Sequence, residues 1–109
     1  MFIDKKAQIG KNVIIYENNR IDGETVIEDN VTIYPNCFIS NSIIGKGSKI
    51  YSSIIENSKL GACVCIGGYC KISKSEVGNN VKIGEFCVVR KEKVLSNTKV
   101  RPHSCTLKQ

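Results

Sequence analysis

No stretch of the 109 residues comes near the roughly 18 consecutive apolar residues that a membrane-spanning helix needs. The amino terminus, MFIDKKAQIG, lacks the apolar core of a secretory signal, so a cytoplasmic protein is expected. Cysteine occurs six times without a CxxC pair; Cys63 and Cys65 are too close, and the others too scattered, for a zinc pattern. No metal site is expected, and reduced thiols are the default in a cytosolic protein. Glycines come singly rather than as a phosphate-cradling cluster. No segment reads as a helix, a linker or a second domain, so residues 1–109 are expected to form one domain. Histidine occurs once, at His103, which leaves a single general base of the usual kind near neutral pH.

Charge is one-sided: 16 basic residues against 10 acidic ones give a net charge of +6. This suits an anionic ligand. The lysines are spread along the chain and no aromatic-interleaved basic motif is present, so no nucleic-acid partner is expected.

What the chain does have is a rhythm. An aliphatic residue returns at Ile3, Ile9, Ile15, Ile21, Ile27, Ile33 and Ile39. It continues at Ile44, Ile50, Ile55, Leu60, Ile66, Ile72, Val77, Ile83, Val89, Val94 and Val100, and next falls on Thr106. A hexapeptide period held over the full length predicts an all-β fold, a parallel β-helix in which each repeat adds one short strand. Three repeats make one triangular coil, so about six coils are expected. One column holds Ile3, Ile21, Ile39, Ile55, Ile72, Val89 and Thr106; a second starts at Ile9 and a third at Ile15. The last residues, Thr106 to Gln109, are expected to begin a seventh coil that does not form.

Five steps are five residues long instead of six. Four leave the first column, at Ile39, Ile55, Ile72 and Val89; the fifth leaves Ile50. One edge of the prism is therefore shortened from the third coil onward. Such an edge would let a subunit or ligand approach, or it is a turn variant and nothing more.

The fifth residue of each repeat is expected to point inward. After the second column these are Val13, Val31, Ser48, Val64, Val81 and Thr98; after the third they are Cys37, Ile54, Cys70, Cys87 and Ser104. Half the cysteines thus read as small buried hydrophobes. Cys70 and Cys87 lie in adjacent coils, near enough to be joined in principle, and are expected as free thiols. Cys63, Cys65 and Cys105 fall at outward or corner positions. Corners need residues that tolerate positive φ, and Asn12, Asn18, Asn30, Asn36, Gly47, Asn80 and Asn97 supply them. Tyr16, Tyr34 and Tyr51 share one outward position in coils one to three and are expected to stack, either as cover for the backbone or as an aromatic stripe at a subunit interface.

The runs from Ile3 to Gly61 and from Cys65 to Val94, short steps included, resemble a known carboxy-terminal domain. It is that of the bacterial bifunctional N-acetylglucosamine-1-phosphate uridyltransferase/glucosamine-1-phosphate acetyltransferase. The resemblance implies a left-handed β-helix, a homotrimer and acetyl-CoA as co-substrate. It also implies a uridyltransferase domain, which nothing in this chain resembles.

At the family's acetyltransferase positions the chain departs from the pattern. Where the family carries I-R-P-G-S, this chain reads Ile72-Ser73-Lys74-Ser75, and the substrate-binding arginine is replaced. Against G-N-F-V-E-x-K-K it reads Gly84 to Lys91, which puts Arg90 and Lys91 at the two lysines. Against K-x-x-H-L-x-Y it reads Lys99 to Cys105. Pro102 then stands at the histidine position, and a one-residue shift recovers His103.

Two functions follow from this resemblance. The first is a trimeric scaffold or partner module, catalytically incomplete, working with a separate nucleotidyltransferase chain. The second is an acetyl-CoA-dependent acyltransferase acting on an amino-sugar phosphate, with His103 as base and Arg90 and Lys91 on the phosphate. A piece of a longer reading frame is a third expectation.

Overall fold

Six residues per strand and corner leave room for strands of only two or three residues, and the computed structural model, which describes residues 1–107, contains only such strands. They hydrogen-bond in parallel into three sheets. Sheet A has seven strands, from Phe2–Ile3 to Cys105–Leu107; sheets B and C have six each. The corners are named by the sheets they join: AB, BC and CA. The result is the left-handed parallel β-helix, 34 Å long and 20 Å across.

The registers reproduce the three columns read from the sequence. Ile3 pairs with Ile21, Ile21 with Ile39, Ile39 with Ile55, and the series runs on through Ile72 and Val89 to Thr106. Coil length follows from these pairs: 18 residues in the first two coils, 16 in the third and 17 thereafter. β-branched side chains suit this surface, because each sits directly on its copy in the coil below. Ile21, Ile33, Ile39, Ile44, Ile50, Ile55, Ile66 and Ile72 are completely buried. Each contributes roughly 1.5–3 kcal/mol of hydrophobic stabilisation. The two end coils depart from this: Ile3 and Ile9 are about 40% exposed, and Val94 and Val100 are half-buried.

Sequence and structure differ at one interior position. Ile54 is not inward; it lies on the outer face of sheet A and is 40% exposed, while Ser53 is buried in its place. The five-residue step after Ile50 removes one corner residue, and the turn from Tyr51 to Ser53 closes without any left-handed residue. Its third residue, Ser53, therefore faces inward, and Ile54 becomes the first residue of the next strand, paired with Phe38. The interior CA column is thus Asn19, Cys37, Ser53, Cys70 and Cys87, all buried, with Ser104 half-buried.

A second difference is the carboxy-terminal end. Cys105–Leu107 does form the first strand of a seventh coil, pairing with Val88–Arg90. The remainder of the expected tail, residues 108–109, lies outside the described residues.

Polar interior groups are all satisfied: among the described residues no buried side-chain N or O lacks a partner. At the AB corner the hydroxyls form a ladder. The Ser42 N–H donates to Thr25 Oγ1 (3.4 Å), the Ser58 N–H to Ser42 Oγ (3.2 Å), the Ser75 N–H to Ser58 Oγ (3.2 Å) and the Glu92 N–H to Ser75 Oγ (3.2 Å). At the CA corner the thiols of Cys70 and Cys87 donate to the carbonyls of Gly84 (2.9 Å) and Arg101 (3.1 Å). All six cysteines are free thiols.

The tyrosine column forms as expected: Tyr16 stacks on Tyr34 at 5.3 Å between centroids, and Tyr34 on Tyr51 at 4.2 Å. The glycines that follow core residues, such as Gly45 after Ile44, leave room for the coil above. A side chain at Gly45 would enter the backbone of Gly61 and Ala62.

Candidate functional site

The shortened AB corner turns on a single left-handed residue per coil. Asn41, Asn57, Lys74 and Lys91 hold it, at φ 47°, 49°, 50° and 52°. Asparagine tolerates this conformation; lysine has no local compensation for it. Two lysines in consecutive coils at such a position are a cost to the fold, and strained residues of this kind cluster at sites that use them. Backbone bonds hold each in place: the Lys74 N–H donates to the Glu56 carbonyl and the Lys91 N–H to the Ser73 carbonyl, both at 3.1 Å.

Beside this corner the outer face of sheet A carries a cleft of 360 Å³, lined by Glu56, Asn57, Lys71, Ser73, Lys74, Val88 and Arg90. Arg90 is the last residue of strand Val88–Arg90 and pairs with Ser73 at the end of Lys71–Ser73. Lys71, Lys74 and Arg90 thus bring three cations to one recess that has a single carboxylate, Glu56. Ser73 adds a hydroxyl. This donor set matches an anion with several acceptor oxygens, which charge-assisted hydrogen bonds hold strongly.

Sequence reasoning had singled out Arg90 and Lys91 and missed Lys71 and Lys74. The signal was there: 74 and 91 are one 17-residue coil apart, and 71 lies three residues before 74 on the same short-corner edge.

His103 sits elsewhere. It occupies the CA corner of the sixth coil, with φ at 62°, and its N–H donates to the Glu85 carbonyl at 2.8 Å. Its imidazole lies on the ring of Phe86 (5.1 Å between centroids, 5° between planes), which lies on Tyr69 (5.2 Å, 15°). All three are left-handed corner residues one coil apart, at the corner where Asn18 and Asn36 stand in the first two coils. Among the described residues no side-chain hydrogen bond orients the imidazole.

Within one chain, therefore, Arg90 and Lys91 stand together at one edge of sheet A and His103 stands at the other. The strand Cys105–Leu107 runs between them, and Leu107 is the register partner of Arg90. Four residues of extended chain separate His103 from Leu107, about 13 Å. Among the described residues no group of His, Cys, Asp or Glu could hold a metal ion, and no helix is long and apolar enough to cross a membrane.

Comparison with known proteins places this geometry. A family profile described as bacterial transferase hexapeptide (six repeats) matches residues 6–41. A second, described as GlmU-like, C-terminal hexapeptide, matches residues 34–105. The bifunctional protein GlmU of Clostridium acetobutylicum is 38% identical over 71 residues, which cover 65% of this chain and 16% of that protein. The bifunctional protein GlmU of Geobacillus sp. is 36% identical over 74 residues, 68% of this chain and 16% of that protein. The chain thus spans about a sixth of the length of these relatives.

Among solved structures, a protein of Desulfovibrio desulfuricans G20 provisionally identified as an acetyltransferase superposes with a TM-score of 0.65 at 23% identity. The match covers 84% of this chain and 26% of that one, and it speaks for the fold. With its three sheets, its short corners in register and a profile match over most of its length, the chain belongs to the GlmU-like C-terminal hexapeptide family.

Proposed function

We propose that the chain is a trimer-forming, cytoplasmic hexapeptide module of the sugar-nucleotide acetyltransferase type, one that builds an anion cleft at each subunit junction without a complete acetyltransfer machinery. The observation that carries this reading is the placement of His103 and of the Arg90–Lys91 pair on opposite edges of sheet A.

The outer face of sheet A supports the threefold arrangement. It presents Phe2, Arg20, Phe38, Ile54, Lys71, Val88 and Cys105 in one line, five of the seven apolar, with Phe2 and Ile54 exposed. From the fourth coil upward the other two faces present Lys59, Glu76 and Lys93, and Cys65, Lys82 and Lys99. A largely apolar face between more strongly charged ones is the surface a closed assembly covers. Three copies with sheet A toward a common axis set the CA corner of one beside the AB corner of the next. His103 of one copy then faces Arg90 and Lys91 of its neighbour across the cleft.

The module reading rests on what the cleft holds. Ser73 stands where the family pattern has its substrate-binding arginine, and among the described residues no side-chain hydrogen bond orients the imidazole as a base requires. A separately encoded nucleotidyltransferase chain is the partner this reading names.

Sedimentation velocity tests the assembly. A trimer is expected at tens of micromolar, with Ile54→Lys giving a folded monomer of unchanged far-ultraviolet circular dichroism. A wild-type monomer under those conditions sinks the reading.

The cluster of Lys71, Lys74 and Arg90 favours a second reading, acyl transfer to an amino-sugar phosphate. Here the cations hold the phosphate and the sugar amine attacks the thioester carbonyl of acetyl-CoA. His103 takes the amine proton, the thiolate leaves as the amide forms, and the proton passes to it. Thiol release from acetyl-CoA in the presence of glucosamine 1-phosphate, abolished in His103→Asn, would establish it; no release by a folded trimer leaves the module reading.

A further inference from the structure

The tyrosine column stops abruptly. Tyr16, Tyr34 and Tyr51 cover one another's faces, but in the fourth coil the same column position is Gly67, so the upper face of Tyr51 has no ring on it. One step further along the chain, Gly68 has nothing within 4 Å of where a side chain would begin. Beyond it Tyr69 starts the second ring column, and its outer surface is 68% exposed. From the coil above, Glu85 leans over the gap, its Cγ 3.2 Å from where a Gly67 side chain would begin. Tyr51, Ser52, Gly67, Gly68, Tyr69 and Glu85 together enclose a notch of 390 Å³. Glu85 takes part in no ion pair among the described residues, where the one bridge is Arg20 to Asp22.

We infer that this notch is a binding site for a planar guanidinium cation. The face of an aromatic ring is its electron-rich side and attracts a cation. A guanidinium group is flat, stacks on such a face and presents paired N–H donors along its edge to a carboxylate. The notch offers these two features together: an open tyrosine face as floor and the Glu85 carboxylate at the rim. An ammonium group matches only the charge. The stacked column beneath holds the Tyr51 ring in place, so binding requires little reordering. The guanidinium belongs to a free small molecule or to an arginine side chain of a partner protein, and the chemistry of capture is the same for both.

Titration of the isotope-labelled full chain by amide NMR tests this. The probes are N-acetyl-arginine amide, N-acetyl-lysine amide and a blocked Gly-Arg-Gly peptide. Saturable shifts confined to residues 51, 52, 67–69 and 85 are expected with the arginine compounds, at least fivefold weaker with the lysine compound. Glu85→Gln should weaken binding at least fivefold. Gly68→Leu should abolish it while leaving the melting temperature within a few degrees, since open space surrounds that position; Gly68→Ala gives the intermediate case. A peptide that binds tenfold tighter than the amide points to a partner protein, and equal affinities point to a small molecule. Equal shifts with the lysine compound, or shifts that persist in a folded Gly68→Leu variant, overturn the inference.

Discussion

The imidazole of His103 lies parallel to the phenyl ring of Phe86, 5.1 Å away, while its backbone holds a φ of 62°. The stack stabilises this residue and the backbone conformation opposes it, so two substitutions separate the effects. His103→Ala loses the stack and keeps the strain, and should cost roughly 1 kcal/mol. His103→Gly loses the stack but relieves the strain, and should be more stable than the alanine variant by about 0.5–1 kcal/mol. Urea denaturation of both variants reads the difference; an alanine variant as stable as the glycine variant would contradict the assignment of strain.

At the AB corner the same logic applies to the lysines. Lys74→Asn and Lys91→Asn restore the residue type that Asn57 and Asn41 supply one and two coils before Lys74. Each should raise stability by a few tenths to about 1 kcal/mol. Lys74→Asn should at the same time weaken inorganic phosphate binding at the cleft, measured by calorimetry. Gains in melting temperature without loss of phosphate binding would separate Lys74 from the anion site.

The hydroxyl ladder makes a sharper prediction. Ser58 Oγ accepts the Ser75 N–H at 3.2 Å and donates to the Glu56 carbonyl at 2.8 Å. Ser58→Ala leaves the buried Ser75 N–H without its partner and should cost about 1–3 kcal/mol. Ser52→Ala, whose hydroxyl only donates to the Pro35 carbonyl, should cost less. Chemical denaturation of the two variants orders them.

Burial pushes the Cys37 and Cys70 thiols above the ordinary range. A folded thiol that holds its proton more firmly than the unfolded one stabilises the fold at low and neutral pH. Above about pH 8.5 the unfolded chain loses that proton first, so stability falls as pH rises through the folded values. The Cys37→Val, Cys70→Val double variant should therefore show a flatter decline of melting temperature above about pH 8.5 than the wild type. In the wild type at pH 8, alkylation should label exposed Cys63 within minutes and Cys37 and Cys70 only on unfolding.

The three core columns were legible in the chain because an isoleucine at a fixed period has one inward address per strand. The exception, Ile54, shows where that reasoning runs out. A five-residue corner removes a position without saying which, so either the third or the fourth residue could face the core. Only the closed turn from Tyr51 to Ser53 decides it. The anion cleft was half legible. Arg90 and Lys91 are neighbours in the chain, whereas Lys71 and Lys74 join them only through the pairing of adjacent strands. The column of Tyr69, Phe86 and His103 was spaced for recognition, but three different ring types at an asparagine position carry no common chemical label.

Coils of 17 residues that repeat the same short corner are interchangeable lengths of chain. In genetic terms each is a cassette. Duplicating or deleting 51 base pairs within the last three coils would keep every hydroxyl rung, corner and core column in register. It would change the prism by one layer, about 4.8 Å. A gene of this design can lengthen or shorten its product by whole storeys while leaving the plan of each floor intact.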